Sequence, residues 1–193
     1  GEKKLIKHQQ FVMVANHNSH ADGVTLMTSI PVDRLAITYP VAAEDYFGKS
    51  KLSAFLSWFL INLLLIPRKR DEKNPKRDPI FIMDSYLKNG KSLIFFPEGS
   101  RGKAGKIQVF KKGLGHLMKK NMNIPIVPVY LEGIGRVLPK GNKIMLPGIT
   151  KIYFGTPIFL ENESVEEIVE KAENAVHDLK NRCDNNNSSK LRE

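Results

Sequence analysis

Two short, uninterrupted apolar runs, Phe11 to Ala15 and Leu93 to Phe96, each break straight into a polar cluster. A strand with one face in water alternates apolar and polar residues. A continuous run instead marks a strand buried on both faces, the condition met in a parallel sheet with helices on either side. Ile126 to Leu131 reads as another such strand. Leu35 to Thr38, Ile144 to Leu146 and Lys151 to Phe154 are weaker strand candidates. Helix signals lie between them. Residues 21 to 29 precede Pro31, Asp78 can cap a helix with Pro79 at its first position, and residues 112 to 120 form a short segment. The last helix opens with the capping box Ser164-Val165-Glu166-Glu167 and carries the apolar stripe Val165, Ile168, Val169, Ala172, Val176 and Leu179. The alternation predicts an α/β fold, one domain whose largely parallel sheet is covered by helices on both faces.

The chain of 193 residues suits one domain, expected over residues 1–183, with a polar, disordered tail over 184–193. The stretch Leu52 to Ile66 is apolar nearly all round and is read as a helix ended by Pro67. Such a helix is roughly 22 Å long, short of a hydrocarbon core of about 30 Å, so a core or membrane-facing role fits it better than a spanning one. Cys183 is the single cysteine, which excludes an intramolecular disulfide and suits a reducing compartment. The chain opens on Gly1 with no hydrophobic leader, the pattern expected of a fragment of a larger protein. A net charge of +10 calls for an anionic partner. No zinc-finger or aromatic RNA-binding signature accompanies the lysines, so a membrane surface is expected and nucleic acid is not.

The carboxyl ends of neighbouring parallel strands share one edge of a sheet, and ligands bind in the crevice there. The clusters Asn16 to Asp22 and Phe96 to Arg101 would then face one site. A carboxylate on Nδ1 of His17, supplied by Asp22, would leave Nε2 free to take a proton from a hydroxyl. Alone, a histidine and aspartate so spaced are as readily turn or cap residues. A zinc site through His17, His20 and Asp22 lacks a recognisable further ligand set. Ser19 and Ser100 sit outside any Gly-x-Ser-x-Gly turn, and Pro97-Glu98-Gly99 is also good turn chemistry.

Four blocks in order change that balance: His17 to Asp22 as His-x4-Asp, Ile66-Pro67-Arg68, Phe96-Pro97-Glu98-Gly99-Ser100-Arg101, and Ile124 to Val129. Through them the chain resembles the lysophospholipid acyltransferase superfamily, which includes the glycerophosphate and lysophosphatidic acid acyltransferases. The resemblance implies His17 as general base and Asp22 as its orienting partner. It places Arg68, Glu98, Gly99, Ser100 and Arg101 in the binding site of a lysophospholipid or glycerol phosphate acceptor. Asn18, Ser19 and His20 fill variable positions and inherit no role. The acyl group would come from acyl-CoA or acyl carrier protein as co-substrate, with no metal or redox cofactor. A cytoplasmic domain peripheral to an anionic membrane is implied. The likeness of residues 42–47 and 102–113 to acyltransferase domains joined to acyl-activating ligases also implies fusion to other domains. The rival expectation is a non-catalytic module for anionic membranes, resting on Arg68-Lys69-Arg70, Lys76, Arg77 and Lys103 among others.

Overall fold

Strand β1 (Val12–Ala15) has no exposed face: Val12 and Val14 enter one hydrophobic core, Met13 and Ala15 the other. Among the described residues it lies at the interior of a six-stranded sheet in the order β3-β2-β4-β1-β5-β6. The remaining strands are β2 (Thr38–Ala43), β3 (Leu64–Ile66), β4 (Ser92–Phe95), β5 (Ile126–Glu132) and β6 (Lys151–Phe154). Neighbours from β3 through β5 pair parallel, and β6 closes its edge antiparallel to β5. This computed structural model describes residues 10–19, 21–47, 62–69, 74–134 and 149–190. Within them the expected α/β class holds.

Among the described residues, helices cover the two faces unequally. Short α1 (Asp22–Met27) and the residues after it pack Leu26, Met27 and Ile30 against Met13, Ile94 and Val127. The other face carries α4 (Pro79–Lys88), α5 (Gly113–Lys119) and α6 (Val165–Lys190), which bury Met83, Leu87, Leu114, Leu117, Ile168 and Val176. Each such side chain, taken fully out of water, contributes roughly 1.5–3 kcal/mol. Asp78 caps α4 as its position before Pro79 predicts, accepting from the Ile80 N–H at 2.8 Å. The capping box forms at α6, with Ser164 N–H on Glu167 Oε2 at 2.7 Å and Glu167 N–H on Ser164 Oγ at 3.2 Å. Helices α5 and α6 approach so closely at Gly115 that a Cβ there would lie 2.3 Å from the Val165 carbonyl oxygen.

Three expectations are corrected. Leu35 ends a short helix, α2 (Val32–Leu35), and the strand begins at Thr38 and runs through Pro40. Proline is tolerated in β2 because β3 pairs only from Val41 onward, leaving that edge of residue 40 without a ladder partner. Leu64 to Ile66, read as the end of a helix, is strand β3 in register with Val41 to Ala43. An unbroken apolar run has the same appearance in a buried strand and a buried helix. The polar run from Asp184, read as a disordered tail, continues α6 to Lys190, and its last apolar anchor is the fully buried Cys183. The remainder of that expected helix, residues 52–61, and the strand Ile144 to Leu146 lie outside the described residues. No described helix is long and apolar enough to cross a membrane.

Register then decides where the chemistry sits. Val14 pairs with Phe95, so Asn16 and Phe96 leave the sheet side by side at the carboxyl ends of β1 and β4. A short helix, α3 (Glu44–Phe47), follows β2 at the same end of its strand.

Candidate active site

The turn after β1 begins with a buried asparagine that imitates backbone. Asn16 Oδ1 accepts the Leu131 N–H at 2.7 Å, and its Nδ2 donates to the Leu131 carbonyl at 3.1 Å. The side chain thus carries the β1–β5 pairing one step further while the main chain turns away toward His17. His17 Nδ1 lies 2.8 Å from Asp22 Oδ2, and Asp22 is wholly buried. The same carboxylate oxygen accepts the Asn18 N–H at 2.7 Å and the Ser19 N–H at 2.9 Å. An oxygen on which donors converge is an ionised acceptor, so the His17 proton resides on Nδ1 and the lone pair on Nε2. Phe96 stacks on the imidazole with centroids 4.3 Å apart and planes 21° from parallel. The ring lines a cleft of about 1060 Å³.

The second cluster holds the backbone of His17 from both sides. Its N–H donates to Glu98 Oε1 at 2.9 Å, and its carbonyl accepts the Gly102 N–H at 2.8 Å. The other Glu98 oxygen accepts Gln108 Nε2 at 2.9 Å. Glu98 is only 2% exposed, and this burial pushes its carboxyl up to about 7. The negative charge of Asp22 adds to the rise, while the hydrogen bonds from His17 and Gln108 oppose it.

Around the imidazole the cleft is lined by Arg68, Gly99, Ser100, Arg101 and Lys111, with Val41, Ile66, Ile80, Phe81 and Phe95 among its apolar walls. Arg68 Nε donates to both Asp45 oxygens, at 2.9 and 2.7 Å, and its Nη1 reaches the Gly99 carbonyl at 3.3 Å. Gly99 has φ +70°, a left-handed conformation that glycine adopts without strain, and a Cβ there would meet Lys111 Nζ at 2.8 Å. Burial lowers the Arg101 guanidinium below its usual range, with Asp22 supporting its charge and Arg68 opposing it. Among the described residues no three His, Cys, Asp or Glu side chains gather as a metal site; His20 lies outside those residues.

A family model described as Acyltransferase matches residues 1–132. The chain belongs to the Acyltransferase family. It is 29% identical over 153 residues to the chloroplastic 1-acyl-sn-glycerol-3-phosphate acyltransferase BAT2 of Brassica napus, covering 77% of this chain and 40% of that one. It is 26% identical to the 1-acyl-sn-glycerol-3-phosphate acyltransferase alpha of Mus musculus, covering 89% of this chain and 58% of the relative. The chain therefore spans roughly half the length of these curated relatives. The crystal structure of the 1-acyl-sn-glycerophosphate (LPA) acyltransferase PlsC from Thermotoga maritima superposes with a TM-score of 0.69 at 25% identity, covering 94% of this chain and 69% of that one.

In this Acyltransferase family member the fold brings His17, Asp22, Arg68, Gly99, Ser100 and Arg101 to one place. Glu98 departs from the expected acceptor contact. Both of its oxygens are turned inward, so it lies behind the cleft wall. Asn18 and Ser19 do hold the turn together. Besides its backbone bond to Asp22, Asn18 donates through Nδ2 to the carbonyls of Lys103 at 2.7 Å and Lys106 at 3.1 Å. Lys111 over Gly99 and Gln108 beside Glu98 were absent from the expected site. For Lys111 the neighbouring Phe110-Lys111-Lys112-Gly113 segment was a usable signal, whereas nothing in the sequence around Gln108 marks it.

Proposed function

We propose that this chain is the acyl-transferring domain of an O-acyltransferase whose acceptor is lysophosphatidic acid and whose donor is an acyl thioester, acyl-CoA or acyl carrier protein. The observation that carries the reading is the 2.8 Å His17–Asp22 pair on the wall of a large, partly apolar cleft. The names of the curated relatives and of the structural neighbour support the acceptor class. In the reaction the acceptor hydroxyl approaches Nε2 of His17, which removes its proton as the oxygen attacks the thioester carbonyl. The tetrahedral intermediate collapses with cleavage of the C–S bond, and the thiolate takes the proton back from His17. Such general-base assistance is worth about 10²–10⁴ in rate. Buried Asp22 holds the imidazole in register and balances its positive charge. Arg101, Arg68 and Lys111 hold the phosphate, and no step draws on a metal or redox cofactor. The basic surplus supports work at an anionic membrane surface.

Thiol release from acyl-CoA, with lysophosphatidic acid or glycerol 3-phosphate as acceptor and mass-spectrometric identification of the product, tests the reading. Acylated lysophosphatidic acid and loss of turnover in a folded His17→Ala variant are expected. No acceptor-dependent thiol release, or full activity without His17, would refute it.

A further inference from the structure

The segment after Arg101 does more than connect β4 to α5. Gly102 N–H bonds the His17 carbonyl, Asn18 grips the carbonyls of Lys103 and Lys106, and Gln108 returns the chain to Glu98. Gln108 Nε2 donates at 2.9 Å to Glu98 Oε2 and at 2.9 Å to the Ser100 carbonyl. One side-chain amide thus ties the residue before Gly99 to the residue after it. Through Oε1 of Glu98 the tie reaches the backbone N–H of His17.

We propose that Gln108 is a positioning residue, which keeps Glu98 as a charged acceptor for the His17 N–H and so fixes the turn that aims the imidazole into the cleft. Its consequence for turnover rests on the acyl-transfer reading; its effect on Glu98 does not. The like charge of Asp22 from α1 favours protonation of a carboxylate in this place. Among the described residues, cations around the same block include Arg101, Arg68 two residues beyond β3, and Lys111 lying over Gly99. Burial outweighs the hydrogen bonds, so the carboxyl titrates near neutrality and each remaining donor matters. A protonated Glu98 would be a weaker acceptor for the His17 N–H, and the turn would loosen as pH falls.

The test uses full-length protein labelled with ¹³C at glutamate carboxyls, with the Glu98 signal assigned by its loss in Glu98→Gln. The wild-type signal should titrate at about 7. In Gln108→Met, similar in length and without a donor, the midpoint should rise by about one pH unit, the size expected for one lost hydrogen bond to a charged group. Gln108→Glu, which keeps the shape and replaces the donor by an acceptor, should raise it as well. The acid limb of the kcat profile should move by the same amount in Gln108→Met. Adding Gln108→Met to Glu98→Gln should shift nothing further. An unmoved Glu98 midpoint in folded variants overturns the proposal. So does a kcat lowered equally at every pH, the mark of a merely structural glutamine. A wild-type protein that transfers no acyl group would defeat the proposed reaction instead, with the Glu98 titration still deciding for or against Gln108.

Discussion

Replacing Asp22 by asparagine separates the charge of this carboxylate from its geometry. Three N–H groups, from His17 Nδ1, Asn18 and Ser19, converge on Oδ2, whereas Oδ1 has no hydrogen-bond partner among the described residues. An amide NH₂ in the place of Oδ2 would oppose two backbone donors in a fully buried position, so the asparagine must put its oxygen there and its nitrogen on the Oδ1 side. The imidazole then keeps its Nδ1–H tautomer. What is lost is the difference between a charge-assisted bond and a neutral one, about 1–2 kcal/mol, or roughly 5- to 30-fold in rate. The expectation is far milder than the roughly 10⁴-fold loss seen where the same change in a serine-protease triad reverses the tautomer. Steady-state thiol release with saturating acceptor measures it, with His17→Ala as the floor and thermal unfolding as the check on folding. Asp22→Asn as inactive as His17→Ala would show that the amide flips, and an unchanged kcat would show that Asp22 does not act through His17.

The two arginines should differ. Arg68 already gives its Nε to both oxygens of Asp45, so Arg101→Lys should raise the KM for lysophosphatidic acid by about tenfold, the loss of one strong bond of a bidentate pair, and Arg68→Lys by less. Equal effects, or a rise confined to the thioester KM, would count against this assignment. Glu98 should leave a mark on stability. Its folded carboxyl, pushed from 4.5 up to about 7, favours the protonated form, so its cost is absent below pH 4.5, grows as pH rises, and is complete above about 7. The stability gap between wild type and Glu98→Gln should therefore change by about 3 kcal/mol between those limits, measured by urea unfolding, and a flat difference would refute the shift. Gly115→Ala should lower Tm by several degrees, because its Cβ would press on the Val165 carbonyl and overpacking costs about 1–3 kcal/mol. An unchanged melting curve would show that α5 and α6 can separate without penalty.

The parts of this molecule that could be read in advance are those written in local chemistry. Phe11 to Ala15 had to be buried on both faces, the Asp78–Pro79 cap and the Ser164 box are short-range devices, and each forms where its residues stand. Leu64 to Ile66 was not readable in this way, since an apolar triplet joins β2 only because β2 offers it a partner in register. The same limit applies at the site. His17 and Asp22 are five residues apart and visible as a pair, but the bond from Gln108 to Glu98 spans ten residues of irregular chain, and the use of Glu98 as an inward support depends on burial that no motif encodes. The helical run beyond Cys183 shows the reverse error, in which polar composition suggested disorder although the preceding turns of α6 are anchored in the core.

Asn16 has a consequence for how the His17 turn is joined to the sheet. Its side-chain amide supplies β5 with both bonds that one more strand residue would have supplied, so the central seam of the sheet stays sealed although the main chain has already left it. The main chain is thereby released from the sheet one residue early, which leaves the His17 N–H and carbonyl to Glu98 and Gly102 instead of to a neighbouring strand.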